Sequence, residues 1–313
     1  MSKKEPDSTR GAVGGQAVIE GVMMKSKESI AIAVRKESGE IARKLKPYQS
    51  IKDRHKILNI PIVRGFVNFI EMMSMSMSTL NDSADMLGLN EIGEDKAKNS
   101  KIMAVAAIAG TILGLALSFG LFFFLPTFIG NRIKTAIPQI ESMGWAISAI
   151  EGVTRLSIFV IYILLVGLIK DIRRTFEYHG AEHMSVFCYE AGDELTVENV
   201  KKYSRFHPRC GTSFMIVMII IGVIISSIIP TSFGFWLRLL TKLLVFPFII
   251  GLGYEFIRYA GKHDSIVVKI VSAPGLWIQR LTTKKPDDSQ IEVAAVSLKT
   301  ALGIDPIDEA DEN

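Results

Sequence analysis

The sequence contains 313 residues, of which 49% are hydrophobic and 22% are charged, and its net charge at pH 7 is +4. This small net charge, with basic residues placed beside long apolar runs, argues against a nucleic-acid-binding protein and indicates a membrane protein. Two cysteines do not make a disulfide framework.

The N-terminal region is polar and basic and precedes the first apolar run. Residues 1–10 are predicted to be disordered. Over 11–60, short apolar stretches separated by glycine predict strands and tight turns, so we expect a small β-rich element on the cytosolic side. Glu20 lies in one of these stretches. A solvated strand residue is the simpler interpretation of it, and a site residue is the alternative.

From Pro61 onwards, apolar residues recur at intervals of three and four, which is typical of an amphipathic helix. We predict that 61–100 forms such a helix, at the membrane surface or against the membrane bundle, followed by a polar linker. The alternation over 73–78 also fits a strand. The apolar positions of the helical pattern are Ile62, Phe66, Phe69, Ile70, Met73, Met77 and Leu80.

Long apolar runs predict four transmembrane helices within a membrane domain over 101–258. The predicted fold is an α-helical integral membrane protein with an additional amphipathic interfacial helix, a small β-rich N-terminal element and a helical C-terminal tail, both cytosolic. The first span is expected to end near Pro126. The four spans are predicted at about 102–125, 144–169, 213–230 and 236–257.

Two pairs of charged residues fall inside these runs. Glu151 and Arg155 are four positions apart, so they can pair on one side of a helix. Both lie in the first half of the second run, and we interpret them as an interfacial pair near the outer boundary. An intramembrane functional pair is the alternative. Arg238 and Lys242 begin the fourth run, where snorkelling towards the interface would make them tolerable.

Lysine and arginine are distributed unequally between the connections. The connection after the first span holds Arg132 and Lys134, whereas the connection after the second holds seven basic residues. By the positive-inside rule, the loop 170–212 and both termini are cytoplasmic. The chain is therefore predicted to be a multi-pass protein of the cell membrane.

The region 259–304 is predicted to be helical and cytosolic. Within it, one helix is expected over 266–281 and a last helix over 290–302, with Asp287 and the polar residues after it as the cap. The acidic tail 305–313 is expected to be disordered.

The cytosolic loop concentrates residue types that bind metals. His179 and His183 are four positions apart, so on a helix both imidazoles can reach one ion, and Glu182 could serve as a general base. The order His-x-x-Glu-His is that of the inverted zinc-peptidase motif, which is a local similarity. His207 and Cys210 return to the same membrane face and are further candidate ligands for Zn²⁺.

Several alternatives for this site stay open in the sequence. Four protein ligands would make a closed structural zinc site, and three with a water would make a catalytic one. A hydrogen-bonded histidine cluster without metal is the third possibility. Glu255, at the cytosolic end of the fourth span, is a second candidate base, with a solvated carboxylate as the alternative. We expect Glu20 and the glycine-rich segment 14–16 to fold back onto the site. Cys188 is interpreted as a small buried hydrophobe.

Four separated motifs characterise the chain: Gly-Gly-Gln-Ala-Val-Ile-Glu-Gly-Val-Met-Met at 14–24, Tyr-His-Gly-Ala-Glu-His at 178–183, His-Pro-Arg-Cys-Gly-Thr-Ser at 207–213 and Pro-Asp-Asp-Ser-Gln-Ile-Glu-Val at 286–293. Together they resemble the YqhQ-like family of bacterial membrane proteins over nearly the whole chain. The resemblance implies a protein of unknown function described as a predicted metal-dependent enzyme. It supplies no established catalytic residues.

The leading hypothesis is a membrane-embedded, metal-dependent hydrolase that acts at the cytosolic membrane face on a lipid-linked or membrane-protein substrate. The alternative is a non-enzymatic scaffold or assembly factor with a structural zinc site. A transporter, for which an oligomer could supply the pathway, ranks third. The expected partners are the lipid bilayer and a membrane-associated substrate or partner protein, without nucleic acid.

Overall fold

The computed structural model describes residues 13–89, 96–208, 210–260, 263 and 265–305. The predicted disordered segment 1–10 and nearly all of 305–313 lie outside these residues. The strands are β1 (Gly14–Val18), β2 (Gly21–Lys25), β3 (Ser29–Arg35) and β4 (Ile41–Pro47). The helices are α1 (Ile51–Arg54), α2 (Val63–Met86), α3 (Lys96–Phe119), α4 (Leu125–Ala136), α5 (Gly144–Val166), α6 (Lys170–Ala191), α7 (Val197–Val200), α8 (Gly211–Ile228), α9 (Phe235–Ala260), α10 (Ile266–Thr282) and α11 (Asp288–Ala301).

The four strands form one antiparallel sheet in the order β1-β2-β3-β4, so each strand pairs with the next along the chain. Both faces of the sheet are covered. Ile32 of β3 packs with Met75 of α2 on one face, while Ala31 and Ala33 pack with α6 and α11 on the other. Because neither face meets water, β3 is a continuous apolar run rather than an alternating one. The predicted β-rich N-terminal element is confirmed.

Helix α11 packs into the same core as the sheet. It begins with a capping box, in which the Asp287 carboxylate accepts from the backbone N–H of Gln290 and the Gln290 side chain accepts from the backbone N–H of Asp287. The cap predicted at Asp287 is therefore present. Because Ala31 is small, α11 approaches closely enough for Ser297 Oγ to donate to the Ala31 carbonyl at 3.2 Å. Residues near the two ends of the chain thus share one core with α6.

Helix α2 connects the sheet to the apolar helices. The segment is helical throughout Val63–Met86, so the helical interpretation is confirmed and the strand alternative is wrong. Its residue Met75 lies in the sheet core. At the start of α2, Gly65 lies against α9, where a Cβ would stand 2.9 Å from the Gly251 carbonyl oxygen. Met73 and Met77, which belong to the predicted apolar stripe, are more than half exposed, so this stripe lies on the side of α2 that faces away from the sheet.

Four helices are long and apolar enough to cross a membrane by length and composition: Ile108–Ala136, Gly144–Val166, Gly211–Ile228 and Phe235–Ala260. The prediction of four apolar spans is confirmed to that extent. Their boundaries lie close to the predicted ones except at the end of the first.

The first apolar helix continues past Pro126, so the predicted end at that residue is wrong. Proline lacks an N–H and leaves the carbonyl of the residue four positions earlier, here Phe122, without its helical donor. The chain accommodates this with a π-helical turn, Gly120–Phe124. Arg155 Nε then donates to the Phe122 carbonyl oxygen at 3.0 Å. A side chain from α5 therefore satisfies the carbonyl that the proline leaves open.

Four charged side chains of α5 and α9, Glu151, Arg155, Arg238 and Lys242, face one another inside the protein. Glu151, Arg238 and Lys242 are only 0%, 5% and 3% exposed. Lys242 Nζ donates to Glu151 Oε2 at 2.5 Å. The predicted snorkelling of Arg238 and Lys242 is wrong, because the buried carboxylate attracts both cations inwards.

Candidate metal centre

Helix α6 carries the histidine motif. It follows α5 after a break of three residues and ends at Gly192, whose φ of +82° provides the left-handed C-cap. Every residue over 180–186 is buried. The motif therefore lies where the second apolar helix leads into the core beside the sheet.

Cys210 joins two histidines of α6 from a different part of the chain. It is the N-cap residue of α8, and its Sγ lies 3.3 Å from His179 Nε2. The ligand atoms of His179, His183 and Cys210 all lie within 4.8 Å of one another. His183 and Cys210 are 3% and 8% exposed. Two imidazole nitrogens and a thiol sulfur at this spacing fit the donor set of a zinc site.

Backbone carbonyls orient both imidazoles. His179 Nδ1 lies 2.9 Å from the Thr282 carbonyl oxygen, and His183 Nδ1 lies 2.6 Å from the Arg205 carbonyl oxygen. Because a carbonyl only accepts, Nδ1 is the donor in each ring, and in the neutral imidazole this tautomer leaves the lone pair on Nε2. Metal-ligating histidines are held in this way in proteins. The three residues therefore fit a bound divalent ion.

Glu182 lies beside this group rather than within it. Its Oε2 is 3.4 Å from His183 Nε2, and the residue is 5% exposed. It is not among the residues whose ligand atoms all lie within 4.8 Å of one another. Strand β1 passes close to it, since a Cβ on Gly15 would lie 3.0 Å from Glu182 Cγ. The glycine-rich segment 14–16 thus reaches the site through Gly15.

Glu20 binds α6 but not the ligand group. Arg174 Nε donates to its two carboxylate oxygens at 2.5 and 2.7 Å, and the Tyr178 hydroxyl donates at 3.4 Å. Hydrogen bonding to Glu20 raises the pKa of Arg174, and burial, with Glu20 nearby, raises the pKa of Tyr178 to about 12. Glu20 has a positive φ of 48° in the turn between β1 and β2. The turn therefore holds α6 just before His179.

His207 lies close to the group but points elsewhere. Its ring lies against Phe187 at 4.4 Å between centroids and at an angle of 48°, and its Nε2 is 3.7 Å from Glu190 Oε2. The His183 ring is 5.7 Å away. Cys210, rather than His207, therefore supplies the third ligand atom of the group.

Glu255 is not part of the group of ligand atoms. Arg64 of α2 holds it with two hydrogen bonds, from Nε to Oε1 at 2.6 Å and from Nη2 to Oε2 at 2.5 Å. Such a bidentate ion pair ties α2 to α9. Of the two candidate bases, the structure places Glu182 beside the candidate ligand His183 and engages Glu255 in this pair.

Cys188 lies on α6 inside the sheet core. Burial, assisted by the Asp193 carboxylate, raises the pKa of its thiol to about 11. A thiol that stays protonated is a poor metal ligand and packs as a small hydrophobe. This agrees with its interpretation from the sequence.

Comparison with known proteins places these features in a family. A family model described as "Protein of unknown function (DUF1385)" matches residues 60–304, which include every candidate ligand. The chain belongs to this family. It is 34% identical over 305 residues to "Uncharacterized protein YqhQ" of Bacillus subtilis (strain 168), covering 95% of this chain and 94% of that protein. No solved structure matches. The resemblance inferred from the four motifs is confirmed.

Gln279 of α10 is a site residue of this DUF1385 chain that sequence reasoning missed. It is fully buried and accepts from the His207 N–H at 2.8 Å. Its side-chain amide donates to the His207 carbonyl at 2.7 Å and to Ser213 Oγ at 3.1 Å. These bonds fix the segment that ends at Cys210. A glutamine within the apolar periodicity of α10 was the available signal.

Gly180, within the motif, should be required for metal affinity. A Cβ there would lie 2.2 Å from the Lys284 carbonyl oxygen, so Gly180→Ala must displace the segment whose Thr282 carbonyl orients His179. Changes to such outer partners cost roughly 10–100-fold in metal affinity. Gly14→Ala is the matched control, because its Cβ would have no neighbour within 4 Å. Zinc titration with a competing chelator measures both, and equal affinities would contradict this role.

Proposed function

We propose that this chain is a multi-pass protein of the cell membrane in which His179, His183 and Cys210 hold Zn²⁺ at the cytosolic face. We further propose that the site makes the protein a metal-dependent hydrolase. The observation that carries the proposal is the orientation of the imidazoles, whose Nδ1 atoms are bound by the Thr282 and Arg205 carbonyls so that both Nε2 atoms are left for a metal.

The membrane location is supported by the four apolar helices and by their aromatic ends. Trp145 and Trp236 lie within two residues of the start of α5 and α9 and are 66% and 72% exposed. Exposed tryptophans at helix ends are typical of the membrane interface. The proposed metal site is built from residues of the basic connection 170–212, which the positive-inside rule assigns to the cytosol.

The ligand count favours catalysis over a purely structural role. Three protein ligands leave a coordination position for a substrate or water, whereas structural zinc sites use four. When bound, the ion would supply Lewis-acid chemistry, polarising a carbonyl or phosphoryl oxygen and lowering the pKa of water. Glu182 Oε2 is 3.4 Å from His183 Nε2, so Glu182 would be the residue that serves as general base beside the ion.

The position of the site indicates the class of substrate. It lies at the start of α8, where Cys210 is the N-cap residue, and α8 is apolar enough to span the bilayer. A bond presented at this level belongs to a membrane-associated molecule. We therefore propose a lipid-linked compound or a membrane protein as substrate.

A structural zinc site in a scaffold or assembly factor is the second candidate, and one observation favours it. The site joins three separate parts of the chain: α6, the 205–210 segment and the end of α10. An ion there would staple them together, as structural zinc does. The two candidates differ in whether a coordination position is open.

Glu182→Gln separates the two candidates. We expect the variant to retain the metal and to lose hydrolysis of a panel of ester, amide and phosphodiester compounds by about 10²–10⁴-fold, the contribution of a general base. In the Co²⁺-substituted wild type, added hydroxamate should change the visible spectrum by entering an open position. An unchanged spectrum, together with equal hydrolysis by Glu182→Gln and wild type, would contradict the hydrolase proposal and favour the structural zinc site.

A further inference from the structure

A second polar cluster lies among the apolar helices, far from the metal centre. It is built around Glu151 of α5, 15 residues before the end of that helix and therefore roughly 22 Å along it. Lys242 and Arg238 of α9 and Arg155 of α5 surround this carboxylate. By helix rise, Glu151 and Lys242 lie about 10 Å from the starts of α5 and α9.

The three cations share a single carboxylate. Lys242 Nζ is 2.5 Å from Glu151 Oε2, Arg238 Nη2 is 3.7 Å from Oε1 and Arg155 Nη2 is 3.9 Å from Oε2. With all four groups ionised, the cluster has a net charge of +2. Uncompensated charge is costly away from water. The arrangement therefore calls for a negatively charged partner.

Arg238 also has donors that nothing in the described part of the chain accepts. Its Nε and Nη2 make no hydrogen bond there, and Glu151 Oε1, which faces Nη2, likewise has no hydrogen-bond donor. The Arg238 side chain is 6% exposed, so water does not replace the missing acceptors by simple exposure. A buried guanidinium with two unmet donors is an exception that native proteins rarely tolerate.

The other two cations have fixed positions. Lys242 also donates to Thr127 Oγ1 at 3.1 Å, and Arg155 Nε donates to the Phe122 carbonyl that Pro126 leaves open. Arg155 is the most accessible member, with 13% of its side chain exposed. It marks the side from which a ligand could reach the cluster.

We propose that Arg155, Arg238 and Lys242 bind a phosphate group, supplied either by a lipid headgroup or by free phosphate. Phosphate presents several acceptor oxygens, which suits converging guanidinium and ammonium donors. Of the three cations, Arg238 lies nearest the headgroup boundary, because the exposed Trp236 lies two residues before it on α9. Glu151 orients the cations and limits the surplus to +2, which a phosphate dianion offsets in full and a phosphate monoanion offsets by half.

Ligand-dependent stability of the full chain in detergent tests the proposal. We would titrate phosphatidylglycerol, inorganic phosphate, and diacylglycerol as the phosphate-free lipid, follow the Tm, and detect retained lipid by native mass spectrometry. Phosphatidylglycerol, free phosphate or both should raise the Tm, and diacylglycerol should not. Arg238→Gln should weaken the response at least tenfold. Arg132→Gln, which removes an exposed cation from the same helical end, should leave it unchanged.

The outcomes separate the sources of phosphate. A response to phosphatidylglycerol alone assigns the site to a lipid, and an equal response to inorganic phosphate assigns it to the free anion. A wild type that responds to neither compound, or equally to diacylglycerol, overturns the proposal without any variant. An Arg238→Gln response equal to that of wild type also overturns it. If Arg238→Gln does not fold, Arg155→Gln takes its place.

Discussion

Replacing Cys210 by alanine should remove the bound metal from the purified chain. The thiol lies 3.3 Å from His179 Nε2, and without it only two imidazoles remain, fewer than the three or four protein ligands of zinc sites. We expect about one zinc ion per wild-type chain and almost none in Cys210→Ala or His179→Ala. Elemental analysis of dialysed protein in detergent measures this directly.

His207→Ala is the informative control. His207 is buried to a similar extent as Cys210, 5% against 8% exposed, and belongs to the same segment, but its ring faces Phe187 and Glu190. The His207→Ala variant should therefore keep its zinc. Free zinc at a hundredfold excess over Kd should stabilise wild type and His207→Ala by about 2.7 kcal/mol and leave Cys210→Ala unaffected. Zinc lost equally from His207→Ala and Cys210→Ala would mean that both are ligands. A metal-free wild type would contradict the site altogether.

Most secondary structure could be predicted because it depends on neighbours in sequence. The apolar runs of the four long helices, the three-and-four spacing of α2 and the capping residues Asp287 and Gln290 are all local patterns. The end of the first apolar helix could not be placed. Whether Pro126 terminates a helix depends on whether another donor replaces its missing N–H. Here Arg155 of α5 is that donor, because its Nε binds the Phe122 carbonyl oxygen.

The packing of the layers depends on contacts between distant residues, which a pattern does not contain. Ser297 donates to the carbonyl of Ala31 across 266 positions of sequence. Ala31 and Ala33 look like ordinary strand residues until α11 is known to lie against them. The alternation of large and small residues in β3 therefore matches different helices on the two faces, α2 on one and α6 with α11 on the other, which the sequence alone does not name.

The candidate site divides in the same way. His179 and His183 could be paired from spacing alone, since they lie one helical turn apart. Whether Cys210 or His207 lies beside His179 and His183 depends on the path of the chain around His207. Gln279 of α10 fixes that path with two hydrogen bonds to the His207 backbone. Glu255 was a candidate base because it is a carboxylate at the predicted cytosolic end of the fourth span. Arg64, 191 positions away in sequence, binds that carboxylate instead.

Glu151→Gln should be among the most destabilising single substitutions in this chain. It removes the only carboxylate that Lys242, Arg238 and Arg155 share within the described residues, while the amide keeps the size of the side chain. Removing one partner of a buried ion pair costs roughly 3–5 kcal/mol, because the remaining charge stays buried. Here three cations would remain. Thermal unfolding in one detergent measures the loss as a fall in Tm.

Glu141→Gln supplies the comparison for that loss. Glu141 also pairs with a lysine, Lys134, at the same end of the helices, but its side chain is 48% exposed. A solvent-exposed pair contributes about 0–1 kcal/mol, so this variant should unfold close to wild type. Equal Tm values for the two variants would show that water hydrates the cations around Glu151. In that case the cluster would not need a bound anion to offset its charge. A large difference, reduced when phosphatidylglycerol is added to Glu151→Gln, would instead show that an anion substitutes for the carboxylate at the same three donors.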